Sequence, residues 1–433
     1  MTTLLTYYND PAPGDGLHSA RAFRVTGAPH RKTPLKIIDV REISVPITAG
    51  GANAVINFEG HTVSFVAVIS DRIRQGKPVS GVAFNSIGRF AQSGILRERM
   101  IPRLLKTNPE TLQDEAGSLD PARVLACILA GEKPGGHGDR ASAAAAIELA
   151  IWDLNAKLRD EPAAQTLART AGIQLATKQI PVYAAGGYYP PPGSEALLTE
   201  ELRRYAGQGY RHFKIKIGGL TLSEDIDRIQ EAISVAGGGQ YIAVDANGRF
   251  DIDTALNFGA ALAPLGLRWY EEPGDPLDYA LNHRLCEHYH GPVATGENLF
   301  STADVRNLLR YGGLRPDRDI VQMDPGLSYG VTEYLSMLAA LEAAGFSRAQ
   351  CMPHGGHLIN LHVVAGLGLG GCEAYPQVFQ PVGGFDEATS VINGQTTLSD
   401  APGFGLEQKR SLTPILEQLL NDSNVGLRQR HRR

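Results

Sequence analysis

Val244-Asp245-Ala246-Asn247, Trp269-Tyr270-Glu271-Glu272-Pro273 and Thr295-Gly296-Glu297-Asn298 each close a short apolar run that reads as a β-strand. Asp245, Glu271 and Glu297 follow one another at a constant interval of 26 residues. One strand, one helix and two loops occupy about that length in a (β/α)8 barrel. The period predicts such a barrel, with all three acids at one level on the C-terminal ends of its strands, the face where barrels place their active sites. A single acid there would read as an ordinary loop residue facing water. Three converging carboxylates repel one another unless a hard divalent cation sits among them, and Mg²⁺ suits an all-oxygen set.

The pattern extends on both sides. In His212-Phe-Lys214-Ile-Lys216-Ile the two lysines stand at i and i+2 of a strand and so face the same way. Paired ammonium groups disfavour each other's charged form, so the spacing predicts a lowered lysine pKa and a general base. Downstream, Asp324 lies 27 residues after Glu297, and His354 lies 30 after Asp324. A carboxylate and an imidazole on successive strands can hydrogen-bond, which fixes the tautomer and raises the His pKa.

This set of motifs resembles the enolase superfamily in its mandelate racemase-like branch, over roughly residues 35 to 410. The resemblance implies Mg²⁺ held by Asp245, Glu271 and Glu297. It also implies a Lys214/Lys216 pair facing an Asp324–His354 dyad across a bound carboxylic acid, and a homo-oligomer. Longer stretches resemble the D-tartrate dehydratase family: residues 131–138 (Gly-Glu-Lys-Pro-Gly-Gly-His-Gly), 182–189, 274–279, 294–300 and 353–357. Asn53 and Lys133 match substrate-touching positions there. Ile87 departs from the pattern, since that family has an Asn where this chain reads Ser86-Ile87-Gly88, and an apolar side chain removes a hydrogen-bonding partner. Glu373, on the last strand, is a further candidate ligand contact.

The chemistry expected of these parts is removal of a proton α to a carboxylate. Lys216 is the expected base, with Lys214 as its electrostatic partner. Protonated His354 would deliver a proton to the departing β-hydroxyl, and acid and base on opposite faces suit an anti elimination. The product would be a 2-keto acid, oxaloacetate if the substrate is tartrate. Returning the proton to the α-carbon would make the same residues a racemase or epimerase, and another acid sugar would serve equally as the dehydration substrate. A non-catalytic metal-binding scaffold would show a broken base or ligand set, and none is broken.

The 433 residues carry 43% apolar and 20% charged side chains with a net charge of −5, which gives no basic footprint for nucleic acid or an anionic membrane. Cys127, Cys286, Cys351 and Cys372 lack CxxC spacing, which predicts free thiols and a cytoplasmic enzyme. Residues 1–35 read as a flexible extension, 36–160 as an α+β capping domain, and 161–395 as the barrel, with 396–433 returning to the cap. The glycine-rich segment 48–54 is expected to close over a ligand. A GxGxxG match at 366–371 leads into a strand rather than out of one, which argues against a dinucleotide loop.

Overall fold

The computed structural model describes residues 34–48, 51–175, 179–190 and 198–421. Most of the expected N-terminal extension, the basic C-terminal tail and part of the 48–54 loop lie outside these residues. Strands β1 (Ile37–Pro46), β2 (Thr62–Arg74) and β3 (Lys77–Phe84) form an antiparallel sheet in that order. β3 has no clear signature in the sequence because it opens with Lys, Pro, Val, Ser and Gly, mostly weak strand formers. It is admitted as an edge strand, where Pro78 is tolerated. Gln75 and Gly76, at φ 50° and 76°, make the two-residue turn that fixes its register on β2.

The alanine-rich helix Gly138–Arg159 packs on this sheet, with Ala141 and Ala143 through Ala146 fully buried. The helix Thr413–Asn421 also contacts β1 and β2, and Arg41 Nη1 donates to the carbonyls of Leu419 at 3.3 Å and Leu420 at 2.5 Å.

Seven further strands are parallel: β4 (Gln179–Ala185), β5 (Phe213–Lys216), β6 (Ile242–Asp245), β7 (Trp269–Glu271), β8 (Val293–Thr295), β9 (Ile320–Val321) and β10 (Cys372–Ala374). They pair as a curled sheet in the order β10-β4-β5-β6-β7-β8-β9, so the last strand lies beside the first. The eighth member, β11 (Gln395–Thr397), is antiparallel to β4 and belongs to no strand–helix repeat. At the place expected for an eighth parallel strand the chain makes one bridge, Val321 to Cys351. Pro353 follows two residues later and has no N–H with which to extend it. Helices alternate with the strands, and side chains cap several of them: Thr221 and Glu224 form a capping box, and Asp251, Asp278 and Ser301 accept from the first turn. The GxGxxG stretch is a helix end, with Gly368 left-handed at φ 66° before β10.

A buried carboxylate joins the long helix to the alternating region. Glu148 accepts from Trp152 Nε1 (2.8 Å), Val331 N (2.9 Å), Thr332 N (2.9 Å) and Thr332 Oγ1 (2.6 Å), capping the helix Val331–Ala343. Gly330, at φ 90°, permits the approach, since a Cβ there would lie 2.0 Å from Glu148 Oε2. Glu148→Ala leaves these donors without their acceptor. The expected loss is about 3 kcal/mol of stability, read as a lower urea midpoint.

His362, fully buried against Phe404, has its pKa held down to about 3 by burial. Its unfolded value is near 6.5, so the unfolded chain takes up the proton first as pH falls. Its contribution is complete above pH 6.5 and is lost as pH falls from there toward 3. His362→Gln should therefore narrow the wild type's stability difference between pH 7 and pH 5 by about 2 kcal/mol in urea titrations. An unchanged difference would show that His362 does not titrate on unfolding.

Candidate active site

Register brings the first groups together. Lys216 pairs with Asp245 across β5 and β6, and Asp245 with Glu271 across β6 and β7, forming one row. Lys216 Nζ lies 2.5 Å from Asp245 Oδ2. Lys214 Nζ is 2.6 Å from Glu271 Oε1, 2.7 Å from Glu373 Oε1 and 3.8 Å from Asp245 Oδ2. Glu271 Oε2 accepts from Trp269 Nε1 and Gln322 Nε2 at 2.7 and 2.8 Å.

Glu297 departs from the expected level. The register partner of Glu271 is Ala294, so Glu297 stands three positions further on, in the loop beyond β8. Equal sequence intervals count loop and helix lengths, whereas level depends on the stagger between strands.

Asp324 and His354 meet as expected, each three positions beyond the bridged pair Val321 and Cys351. His354 Nδ1 is 3.2 Å from Asp324 Oδ2, and Nε2 is 3.6 Å from Glu297 Oε2 and 3.2 Å from the Tyr375 hydroxyl. Asp324 Oδ1 accepts from Gly326 N at 2.7 Å. Gly355, at φ 98°, is required here, because a Cβ would lie 2.4 Å from Ser86 Oγ and 2.7 Å from Asp324 Oδ2.

Electrostatics correct one expectation. Neither lysine has a lowered pKa. Burial works against the charge of Lys216, but the Asp245 carboxylate outweighs it and holds the ammonium well above its ordinary value. Lys214 is raised likewise by Glu271 and Glu373 against burial. The two lysines do repel, but each carries its own carboxylate.

Burial lowers the His354 pKa, yet Glu297 and the Asp324 hydrogen bond raise it to about 9, so it is protonated at neutral pH. Glu271 is pushed up to about 7 by burial and by Asp245. Glu272 is raised well above its usual value by burial, Glu297 and Asp245. Glu373 is held near 2, Lys214 and His354 overcoming its burial.

Lys216, Glu297 and His354 line one cavity of about 190 Å³, together with Asn53 and Ile87. Asn53 Oδ1 is already engaged by the backbone N–H groups of Val55 (2.8 Å) and Ile56 (2.7 Å). Ile87 is 1% exposed and turns an apolar wall to the cavity. Lys133 is exposed and does not line the cavity, and Glu373 lies beneath it against Lys214. Sequence reasoning passed over Tyr188, Glu272, Asn298, Tyr375 and Arg89, all on the wall. Tyr375 was within reach of the i, i+2 rule from Glu373, and the others adjoin motifs already singled out.

Residues 197–412 match the Enolase C-terminal domain-like family. The chain belongs to the enolase/mandelate racemase superfamily. It is 29% identical over 266 residues to an arabinonate dehydratase of Saccharolobus solfataricus, covering 60% of this chain and 68% of that protein. It is 27% identical over 356 residues to an L-talarate/galactarate dehydratase of Salmonella typhimurium, covering 81% and 83%. The crystal structure of the Salmonella enzyme superposes with a TM-score of 0.69 at 23% identity, over 91% of this chain and 95% of that one. A racemase from Streptomyces coelicolor with bound magnesium superposes at 0.67 and 22% identity, over 89% and 98%. Both sequence relatives are dehydratases, and the Streptomyces structure is that of a racemase. Among the described residues no helix is long and apolar enough to cross a membrane.

Proposed function

We propose that the chain is a Mg²⁺-dependent dehydratase of a hydroxy dicarboxylic acid or acid sugar, forming a 2-keto acid. The observation that carries this reading is one cavity presenting Lys216, with its Asp245 partner, together with protonated His354, held by Asp324. Dehydratase relatives support the reaction class.

Among the described residues no three acids or imidazoles are already gathered as a metal site. The donor set nevertheless fits the ion. Asp245, Glu271 and Glu297 offer only oxygen, and Asn247 Oδ1 is buried at the cavity without a partner among the described residues. Asp245, Glu271 and Glu297 would hold Mg²⁺. When bound, it supplies Lewis-acid stabilisation of charge developing on a substrate carboxylate.

The Asp245 carboxylate favours the ammonium form of Lys216. In its neutral form Lys216 Nζ would take the proton from the α-carbon. Lys214 stays charged between Glu271 and Glu373, where it stabilises the enediolate. His354 gives its Nε2 proton to the β-hydroxyl, which leaves as water while the electron pair forms the double bond. The enol then tautomerises to the keto acid.

D-Tartrate, giving oxaloacetate, is the substrate we assign on the longer resembling stretches, with Ile87 in place of an Asn as the point of divergence. Among the described residues, the same reading takes those of 36–160 with those from 396 onward as cap, those of 161–395 as a (β/α)8-type barrel, and the protein as a cytoplasmic homo-oligomer. The free cysteines support a reducing compartment.

A semicarbazide-detected screen with Mg²⁺ against D-, L- and meso-tartrate and stereoisomeric acid sugars tests the function. Keto acid from D-tartrate supports the full reading, and keto acid from another acid sugar alone reassigns the substrate. Exchange of the α-proton without keto acid makes the chain a racemase or epimerase.

A further inference from the structure

We infer that Arg89 is the anchor for a second carboxylate at the end of the substrate remote from the reacting carbons, which makes the site selective for diacids. This rests on the dehydratase reading and names the residue that selects among its substrates. Lys216 and His354, the other basic groups on the cavity wall, belong to the reacting end. Arg89 belongs to the Ser86-Ile87-Gly88-Arg89 stretch that follows β3, and it borders both this cavity and a second one lined by His61 and Gln92.

Its guanidinium lies 5.2 Å from the centre of the Phe300 ring, and Nη2 donates to Asn298 Oδ1 at 2.7 Å. Nη1 has only a long contact, 3.4 Å, to the Gly88 carbonyl. Among the described residues its partners are thus an amide, a carbonyl and a ring, with no carboxylate in ion-pair range. A planar guanidinium braced on an aromatic ring, with donors left over, is suited to a carboxylate. The neighbouring Ile87 offers the substrate no hydrogen bond, so polar recognition at this end falls to Arg89. Asn298 passes its own Nδ2 donors to Glu272 at 3.0 and 3.2 Å, which holds the amide oxygen toward Arg89.

The test compares D-tartrate with the threonate of matching configuration, which differs only in replacing the far carboxylate by CH₂OH. Both are measured for dehydration and for α-proton exchange, on wild type, Arg89→Met and Arg89→Lys, with melting curves to confirm folding. Wild type should prefer the diacid by roughly 100-fold in kcat/KM. Arg89→Met should erase that preference, mostly through KM for the diacid, while changing the monoacid less than about threefold, and Arg89→Lys should recover part of it. Equal losses for both acids would reduce Arg89 to a brace for Asn298 and overturn the inference while leaving the dehydratase reading intact. Neither turnover nor exchange of either acid by wild type would overturn the inference and the tartrate assignment together.

Discussion

Lys216→Ala should lose dehydration by roughly 10³-fold or more in kcat, and α-proton exchange with it, since the group that takes the proton is gone. The variant has a second signature that a merely structural lysine would not give. Asp245 is fully buried and its nearest counter-charge is Lys216 at 2.5 Å, so the substitution leaves a carboxylate whose remaining cation, Lys214, is 3.8 Å away. Without Mg²⁺ the variant should melt lower than wild type, because breaking a buried pair costs several kcal/mol. Added Mg²⁺ should raise its melting temperature more than that of wild type, since the ion no longer competes with an ammonium for Asp245. Equal Mg²⁺ shifts would separate Asp245 from the metal set.

His354→Asn should split the reaction. Loss of the acid that protonates the leaving hydroxyl lowers keto-acid formation by about 10²- to 10⁴-fold. Lys216, on β5, is untouched by the substitution and keeps its role, so exchange of the α-proton with D₂O should persist. The pH profile follows the same assignment. With the His354 pKa raised to about 9, the acid form is present through neutral pH and dehydration should decline as pH rises through that value. The variant should lose this alkaline limb. Exchange and elimination falling together would place His354 in proton abstraction and favour racemase chemistry.

Most of the arrangement of Lys214, Lys216, Asp324 and His354 was legible in the sequence because few variables decide it. Strand parity puts Lys214 and Lys216 on one face, and the spacing from Asp324 to His354 carries them to successive positions of the sheet. Glu297 shows the limit of that reasoning: a constant interval fixes how many residues separate two acids, while stagger fixes their height. The sequence shows the two like charges side by side, whereas Asp245, Glu271 and Glu373, which reverse the expected lysine shift, arrive from other strands. The substrate end was least legible. Lys133 matches a motif yet is exposed and does not line the cavity, and Arg89 carries no signal in the sequence because the side chains that leave it without a carboxylate partner are brought beside it only by the fold. β3 was missed for a similar reason, since its pairing with β2 is secured by a turn and by the helix covering it rather than by strand propensity.

The most direct test is a proton NMR time course of the wild-type enzyme with Mg²⁺ and D-tartrate in D₂O, repeated with the acid-sugar panel. At least one acid should lose its α-proton signal as a 2-keto acid accumulates, with both changes stopped by a chelator and restored by Mg²⁺. Turnover that continues after chelation, or an intact α-proton in every acid tried, would contradict Mg²⁺-dependent α-proton abstraction by this site.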